Sequence, residues 1–544
     1  MPDKPPEDDK QDASETENQF IDTLAKLIEP RARNLSAEYI REILGIVIAA
    51  DAALSREISQ ADGFLSFADI EEAFGAEARR VNDASLKHLS DRMKRMVGED
   101  SIVLDKKREL KKSGIKVKRW RYYKNSILTL AGRVSYERVA LKASARKDKI
   151  ALEALGYKGH VYPVDELLGV TYLPFDMTIA ATLKAAEEAC VAASYEKAQK
   201  RLARSGINVN DDTIRAVVNT IGGLVLDNEI QAANEAVLQF EKGLWRFPRN
   251  KKPGVLYFQI EGSMALIRNA KGAKENNTPN AAKECQIARD FTIPSPERPV
   301  KNASWMEYKQ GVAYSDDNIL WMTDERGVKQ RAILQKDYVS FIGEASEFSK
   351  FMRLLAIRNG YGHYQETVII SDGATWISEL KDKYFPDARI ILDFCRLREN
   401  VLNFSKNVFA MDENKYKPWS AEICSLLKKS QTKEALKKIK DLGPKRLSKS
   451  STDLARYIEN NINRVDYAAC REKGYFIASG ALEGSDASLA QSRTKLSGAR
   501  WDLEAARKMG CLLAKLNSGR WEEDVVKAVY QRYNLKPGRQ FNLS

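Results

Sequence analysis

The spacing of hydrophobic positions changes along the chain. Leu24, Leu27 and Ile28, then Ile40, Ile43, Leu44 and Val47, recur at helical intervals and predict helices from Phe20 to about Gly98. The last of these, Ser85 to Val97, follows the capping pair Asn82–Asp83. Ile127–Leu130 and Val134–Leu141 flank Ala131–Gly132 and predict a hairpin. Two helices follow, Met177 to Arg204 and Asp212 to Ile221, with the turn residues Gly206 and Asn208 between them. That is the pattern of a helix-turn-helix and also of an ordinary helical hairpin. A further helix spans Asn228 to Phe247.

Beyond it the period shortens. Val255–Glu261 and Trp305–Tyr314 read as strands, Arg331–Leu334 as a third edge, and Asn269–Asn302 as a polar loop. A helix, Glu347 to Arg358, precedes a buried strand, Thr367–Ser371, that ends at Asp372–Gly373. After another helix comes a second buried strand, Arg389–Asp393. Val401 to Cys470 is lysine-rich and helical, and Gly480 to Tyr533 is mostly helix.

Composition sharpens this picture. A chain of 544 residues implies several domains. No apolar run is long enough to span a membrane, and the acidic, polar start is no secretory signal, so a cytoplasmic, nucleoid-associated protein is expected. The first twenty residues should be disordered. The six cysteines are scattered without a C-x-x-C pair, which argues against a zinc finger. Formal net charge is +13, although the first twenty residues are acidic; a polyanionic partner is indicated, nucleic acid first. The most basic stretch, Lys106 to Lys124, includes Lys118, Arg119 and Arg121 with Trp120, Tyr122 and Tyr123 interleaved. Cations beside aromatic faces suit phosphate contact with stacking, or a solvated strand whose aromatics enter the core.

The order of acids carries the chemistry. Glu261 and Asp372 close strands, and Glu483 stands near the start of a late helix. Alone, each would be a turn or cap residue. Together, with the helices of Val401–Cys470 inserted between the second and third, they follow the order of an α/β catalytic core of the RNase H-like kind. Carboxylates brought together repel, divalent ions relieve the repulsion, and hard oxygen donors suit Mg²⁺, with Mn²⁺ as substitute. Two such ions can promote phosphodiester cleavage.

Several segments resemble bacterial insertion-sequence transposases of the ISKra type and, less closely, the ISLre type. They are Pro163–Gly169 (PVDELLG), Ala193–Ala198 with Asp212–Ile214, Trp305–Lys309 (WMEYK), Ile369–Ile377 (IISDGATWI), Phe385–Pro386, Ile391–Asp393, Arg464–Tyr467, Ser479–Gly480, Leu482–Glu483 and Arg493–Trp501. The resemblance implies that Glu261, Asp372 and Glu483 are the catalytic, metal-binding acids. It also implies DNA contact by Thr213 and Arg215 in the helix-turn-helix. Arg493, Lys495 and Arg500, close beyond Glu483, are natural phosphate-positioning residues. Two departures stand out: Glu261 replaces an Asp, and Arg396 occupies the place of a His. The paired cysteines before the PVDELLG segment are also missing.

The expected organisation is an acidic tail (1–20), a helical N-terminal region with the basic stretch (21–125), and a hairpin and helix-turn-helix DNA-binding region (126–250). The core (251–400) follows, with its helical insertion (401–470), its C-terminal helices (471–535) and a tail (536–544). The expected function is a transposase acting on duplex DNA at element ends and target, with self-association. The alternatives are a catalytically impaired, transposase-derived DNA-binding protein, a structure-specific nuclease, and a structural or interaction protein whose basic charge is incidental.

Overall fold

A computed structural model describes residues 19, 21–23, 37–60, 80–88, 90–91, 100–157, 159–168, 170, 175–245, 247–268, 303–323, 327, 329–446, 448–480, 493 and 501–533. The acidic tail except Gln19, the loop of residues 269–302, the helix beyond residue 91, Glu483, Lys495, Arg500 and the tail of residues 536–544 lie outside them. Two compact units divide the chain: residues 1–185 with 199–210, and residues 186–198 with 211–544.

The first unit contains α1 (Ala37–Gln60), a helical stretch at residues 80–88, α2 (Asp100–Lys112), β1 (Val117–Thr129), β2 (Gly132–Ala143), α3 (Arg146–Ala154), β3 (His160–Val161) and α4 (Pro163–Leu167). The strands form one antiparallel sheet in the order β1-β2-β3. At the hairpin, Gly132 takes φ +116°, and a Cβ there would lie 2.9 Å from Leu86 Cδ1. The core gathers Val103 and Leu110 of α2, Ile127, Val134, Val139 and Leu141 of the sheet, and Leu152 and Val164. The basic stretch is divided: Lys106–Lys112 end α2, and from Val117 the rest is strand, so that β1 begins ten residues before the expected Ile127. A bulge between Arg119 and Tyr122 breaks its alternation and hides the two-residue period. The PVDELLG segment clamps α4 to its surroundings. Buried Asp165 accepts from the Tyr136 hydroxyl (2.9 Å) and Arg138, while Glu166 pairs with Lys106 at 2.7 Å.

The unit boundary runs through α5 (Ile179–Val191) and α6 (Tyr195–Arg204), which together replace the single helix expected over Met177–Arg204. Ser194 divides them, its hydroxyl accepting from the Lys197 N–H at 3.1 Å.

The second unit opens with α7 (Asp211–Glu241), one continuous helix where two were expected. It runs through Gly222 because α15 needs that space: a Cβ there would sit 2.9 Å from Lys508 Cβ and 3.1 Å from the Lys508 carbonyl. Then come β4 (Lys252–Arg268), β5 (Ala303–Ser315), β6 (Ile319–Thr323), β7 (Lys329–Ile333), β8 (Asp337–Ile342), α8 (Ala345–Arg358), β9 (Tyr364–Ser371), α9 (Thr375–Tyr384) and β10 (Arg389–Leu392). Next are α10 (Phe394–Val408), α11 (Glu413–Lys428), α12 (Thr432–Arg446), α13 (Ser448–Asn460), α14 (Tyr467–Glu472), α15 (Leu503–Asn517) and α16 (Lys527–Arg532). The central sheet is mixed, in the order β10-β9-β4-β5-β8. β5 is antiparallel to β4 and β8, whereas β9 runs parallel to β4 and β10. Its third antiparallel strand is Asp337–Ile342; the edge expected at Arg331–Leu334 instead pairs with β6 in a separate ribbon. α8 and α15 take opposite faces. Met352 of α8 fills the space a Gly311 Cβ would need, and Gly510 of α15 lies against Tyr308 and Ser340. No described helix is long and apolar enough to cross a membrane.

Candidate active site

β4 is the middle strand of the sheet. Its parallel register with β9 ends at Ile260 opposite Ser371, and the next residues are Glu261 and Asp372. The expected end of β4 at Glu261 is corrected, since β4 continues to Arg268 paired with β5 and it is the β9 partner that stops. Two acids far apart in sequence thus reach one level of the sheet.

Asp372 turns the chain out of β9. Its Oδ1 accepts from the Ala374 N–H at 3.0 Å, and Gly373 takes φ +89°, where a Cβ would meet Asn461 Oδ1 and Leu392 Cδ1 at 2.9 Å. The Tyr457 hydroxyl donates to the Asp372 carbonyl at 2.7 Å. Burial pushes the Asp372 carboxyl up to about 6; the Ala374 N–H opposes this, and the charges of Glu307 and Asp393 push further. No cation forms an ion pair with Asp372 among the described residues.

Glu307 and Asp393 were not assigned roles from sequence. The Glu307 carboxylate lies over Gly262, where a Cβ would overlap it. Buried Lys309 pairs with Glu307 at 2.6 Å and donates to the Gly343 carbonyl at 2.8 Å. Asp393 caps α10: it accepts from the N–H groups of Cys395 and Ser479, both at 3.0 Å, and from the Ser479 hydroxyl at 2.6 Å. This pins the strand end to the segment four residues before Glu483. The available signals were the Glu-x-Lys alternation on β5 and an acid closing β10 as Asp372 closes β9.

Glu261 is buried and ion-pairs with Arg396 of α10, which also reaches Glu399 at 3.1 Å. Among the described residues no three His, Cys, Asp or Glu side chains are set to hold one metal ion. The donors present fit such an ion in kind. Glu261 and Asp372 offer hard oxygens, and Asp372 is a half-buried carboxylate with no ion-pair partner among the described residues.

The expected DNA contacts divide. Lys118, Arg119 and Arg121 are exposed on β1 beside Trp120 (45% exposed) and Tyr122 (55%). Lys142 Nζ lies 4.1 Å from the Trp120 ring centre, and the Arg121 guanidinium 4.6 Å from that of Tyr123. Thr213 is half-buried in the first turn of α7, and exposed Arg215 pairs with Asp212 at 3.2 Å. Arg493 corrects the expectation of a surface phosphate ligand. It is 3% exposed, donates to the Ala192 carbonyl at 3.0 Å, and lies over Tyr195 and Trp501, whose indole N–H donates to the Arg493 carbonyl at 3.1 Å. Its residue type suggested phosphate, but its aromatic neighbours enclose it.

Comparison with protein-family models finds no match along the chain, and comparison with curated proteins finds no relative.

Proposed function

We propose that the chain is a DNA transposase with an RNase H-like core, cutting element ends and joining them to target DNA. The observation that carries the reading is that Glu261 on β4 and Asp372, the residue that follows β9, both come directly after the last register pair of these parallel strands, Ile260 with Ser371. The strand order supports it: three antiparallel strands followed by two parallel ones is the order expected of such a core. Helices α10 to α14 stand where the insertion before Glu483 is expected.

In this reading Glu261 and Asp372, with Glu483, hold Mg²⁺ or Mn²⁺. When bound, the metal pair would supply an activated water or 3′-hydroxyl and stabilise the leaving oxygen. Asp393 fixes the approach to Glu483 through Ser479, and Lys309 holds Glu307 beside Asp372. The β1 cations and rings give phosphate contact and stacking. Bringing two ends together calls for self-association.

The test is cleavage of DNA carrying the element's flanking ends, with Mg²⁺ and with Mn²⁺. Wild type should cut and Asp372→Asn should bind without cutting; failure of Asp372→Asn to bind DNA would make Asp372 structural. Replacing Lys118, Arg119 and Arg121 by Gln should flatten the salt dependence of duplex binding, by about 0.9 in log–log slope for each phosphate no longer neutralised. An unchanged slope would remove β1 from the interface.

A second reading has its own observation. Glu261 and Arg396, the two departures from the resembled transposases, are ion-paired with each other. A carboxylate tied to a guanidinium is a poorer metal ligand, which favours a transposase-derived DNA-binding protein. Absence of cleavage by wild type, with duplex binding intact, would select it.

A further inference from the structure

A cavity of about 490 Å³ opens on the face of the sheet that carries Glu261. Gln259 lines it, two residues before Glu261 on the same face of β4 and so about 7 Å away along the strand. Its cations come from three elements: Arg331 of β7, Lys336 before β8 and Arg471 of α14. None of the described lining residues is acidic. Lys336 forms no hydrogen bond or ion pair among the described residues, and burial holds its ammonium below the usual lysine range. The other wall is aromatic. Phe476 meets Tyr314 edge-on at 5.8 Å, and the Arg331 guanidinium lies 3.9 Å from the Phe476 ring centre. Tyr475, 3% exposed, keeps a buried hydroxyl without a hydrogen-bond partner among the described residues.

Three cations with no acid among the described lining residues, and only Asp316 acting on Arg331 from nearby, leave the cavity short of negative charge, and an unsatisfied buried hydroxyl costs free energy until a ligand meets it. A dianionic group beside Lys336 answers the first need, and a flat polar ring beside Phe476 and Tyr475 the second. We infer that this cavity binds a single nucleotide, its phosphate on Lys336, Arg331 and Arg471 and its base against Phe476 and Tyr475. The volume suits one such unit. The nucleotide can be free or the unstacked end of a DNA strand. Whether the neighbouring carboxylates cut DNA has no bearing on this site.

The test is calorimetric titration of the full chain with dAMP, with inorganic phosphate and with a short 5′-phosphorylated single strand. Wild type should bind dAMP at least tenfold more tightly than inorganic phosphate. Lys336→Gln should weaken dAMP roughly tenfold, as for loss of a charge-assisted hydrogen bond. Tyr475→Phe, which keeps the ring, should weaken it roughly threefold. Tighter binding of the strand than of dAMP assigns the site to DNA ends; equal binding assigns it to free nucleotide. Either result supports the inference when the variants respond. It is overturned if dAMP does not bind, if inorganic phosphate binds equally well, or if Lys336→Gln, shown folded by its thermal transition, binds as wild type. Should Lys336→Gln fail to fold, an unaltered affinity in Tyr475→Phe overturns it.

Discussion

Two sets of buried charge in the second unit behave in opposite ways. Glu229 of α7 accepts a fork from Arg358 of α8 (2.7 and 2.8 Å) and a third bond from Lys515 of α15 at 2.7 Å. Lys515 also pairs with Asp524 at 2.8 Å, and Arg520 completes the set. Burial alone would push the Glu229 carboxyl up, yet Lys515 and Arg358 outweigh it and hold it down. Asp524, half-buried, is held down to about 2 by Arg520 and Lys515. Asp372 has no such partner among the described residues, and burial with two more acids nearby pushes it up to about 6. The first set matches each acid to cations and joins three helices. The second keeps a carboxylate under strain at the end of a strand, an arrangement better suited to binding or chemistry than to stability.

The sharpest way to break this comparison is to neutralise each acid in turn. Asp372→Asn should abolish metal-dependent cleavage while leaving the chain folded, with a thermal transition no lower than that of wild type. Glu261→Asp should change cleavage by up to about a hundredfold, since a shift near 1 Å in a reacting group costs that much. A fall means the site has adjusted to Glu261 and Arg396; a rise means the Glu261–Arg396 pair has displaced an aspartate site. Glu229→Gln should do the reverse of Asp372→Asn. It leaves Lys515 and Arg358 buried with too little negative charge and should cost about 3 kcal/mol in urea unfolding, with cleavage per folded molecule unchanged. A cost below about 1 kcal/mol would show that matched charge is not what joins these helices.

The sequence made one of these sets visible and concealed the other. Asp372 could be found because an apolar strand runs straight into Asp-Gly, and Gly373 is demanded by its positive φ and the crowding of Asn461. Glu229 lies within a helix whose polar residues look like a solvated face, and its partners stand 129 and 286 positions away. The same distance hid the link between Glu261 and Arg396. Local period also misled at three places. Gly222 packs a helix against a neighbour, the bulge in β1 masks a strand, and Asp337–Ile342 is too short and apolar to distinguish from its surroundings by alternation. Arg493 shows the limit of residue type, because only the folded neighbours reveal that it is enclosed.

The smallest effect distinguishes the two sets by sign. The Asp372 carboxyl has an ordinary value of 3.8 and lies near 6 in the folded chain. Between those values the folded state holds a proton that the unfolded state has lost, so stability falls as pH rises through this window. The shift corresponds to about 2 kcal/mol after allowance for partial exposure. Glu229 and Asp524 are lowered, so their contribution is present above the ordinary values of 4.5 and 3.8 and is lost as pH falls through the folded ones. Measured by urea unfolding from pH 4 to 8, Asp372→Asn should therefore gain on wild type as pH rises, levelling off above about 6.5. Glu229→Gln should lose most against wild type at the alkaline end, and the gap should narrow in acid. Millimolar Mg²⁺ should raise the thermal transition of wild type by a few degrees at pH 7.5, less at pH 5, and not at all in Asp372→Asn, because a cation stabilises only the state that binds it. Parallel curves for Asp372→Asn and wild type across the whole range would mean that the carboxylate is not strained. The contrast between matched and unmatched charge would then no longer mark Asp372 as a cation site.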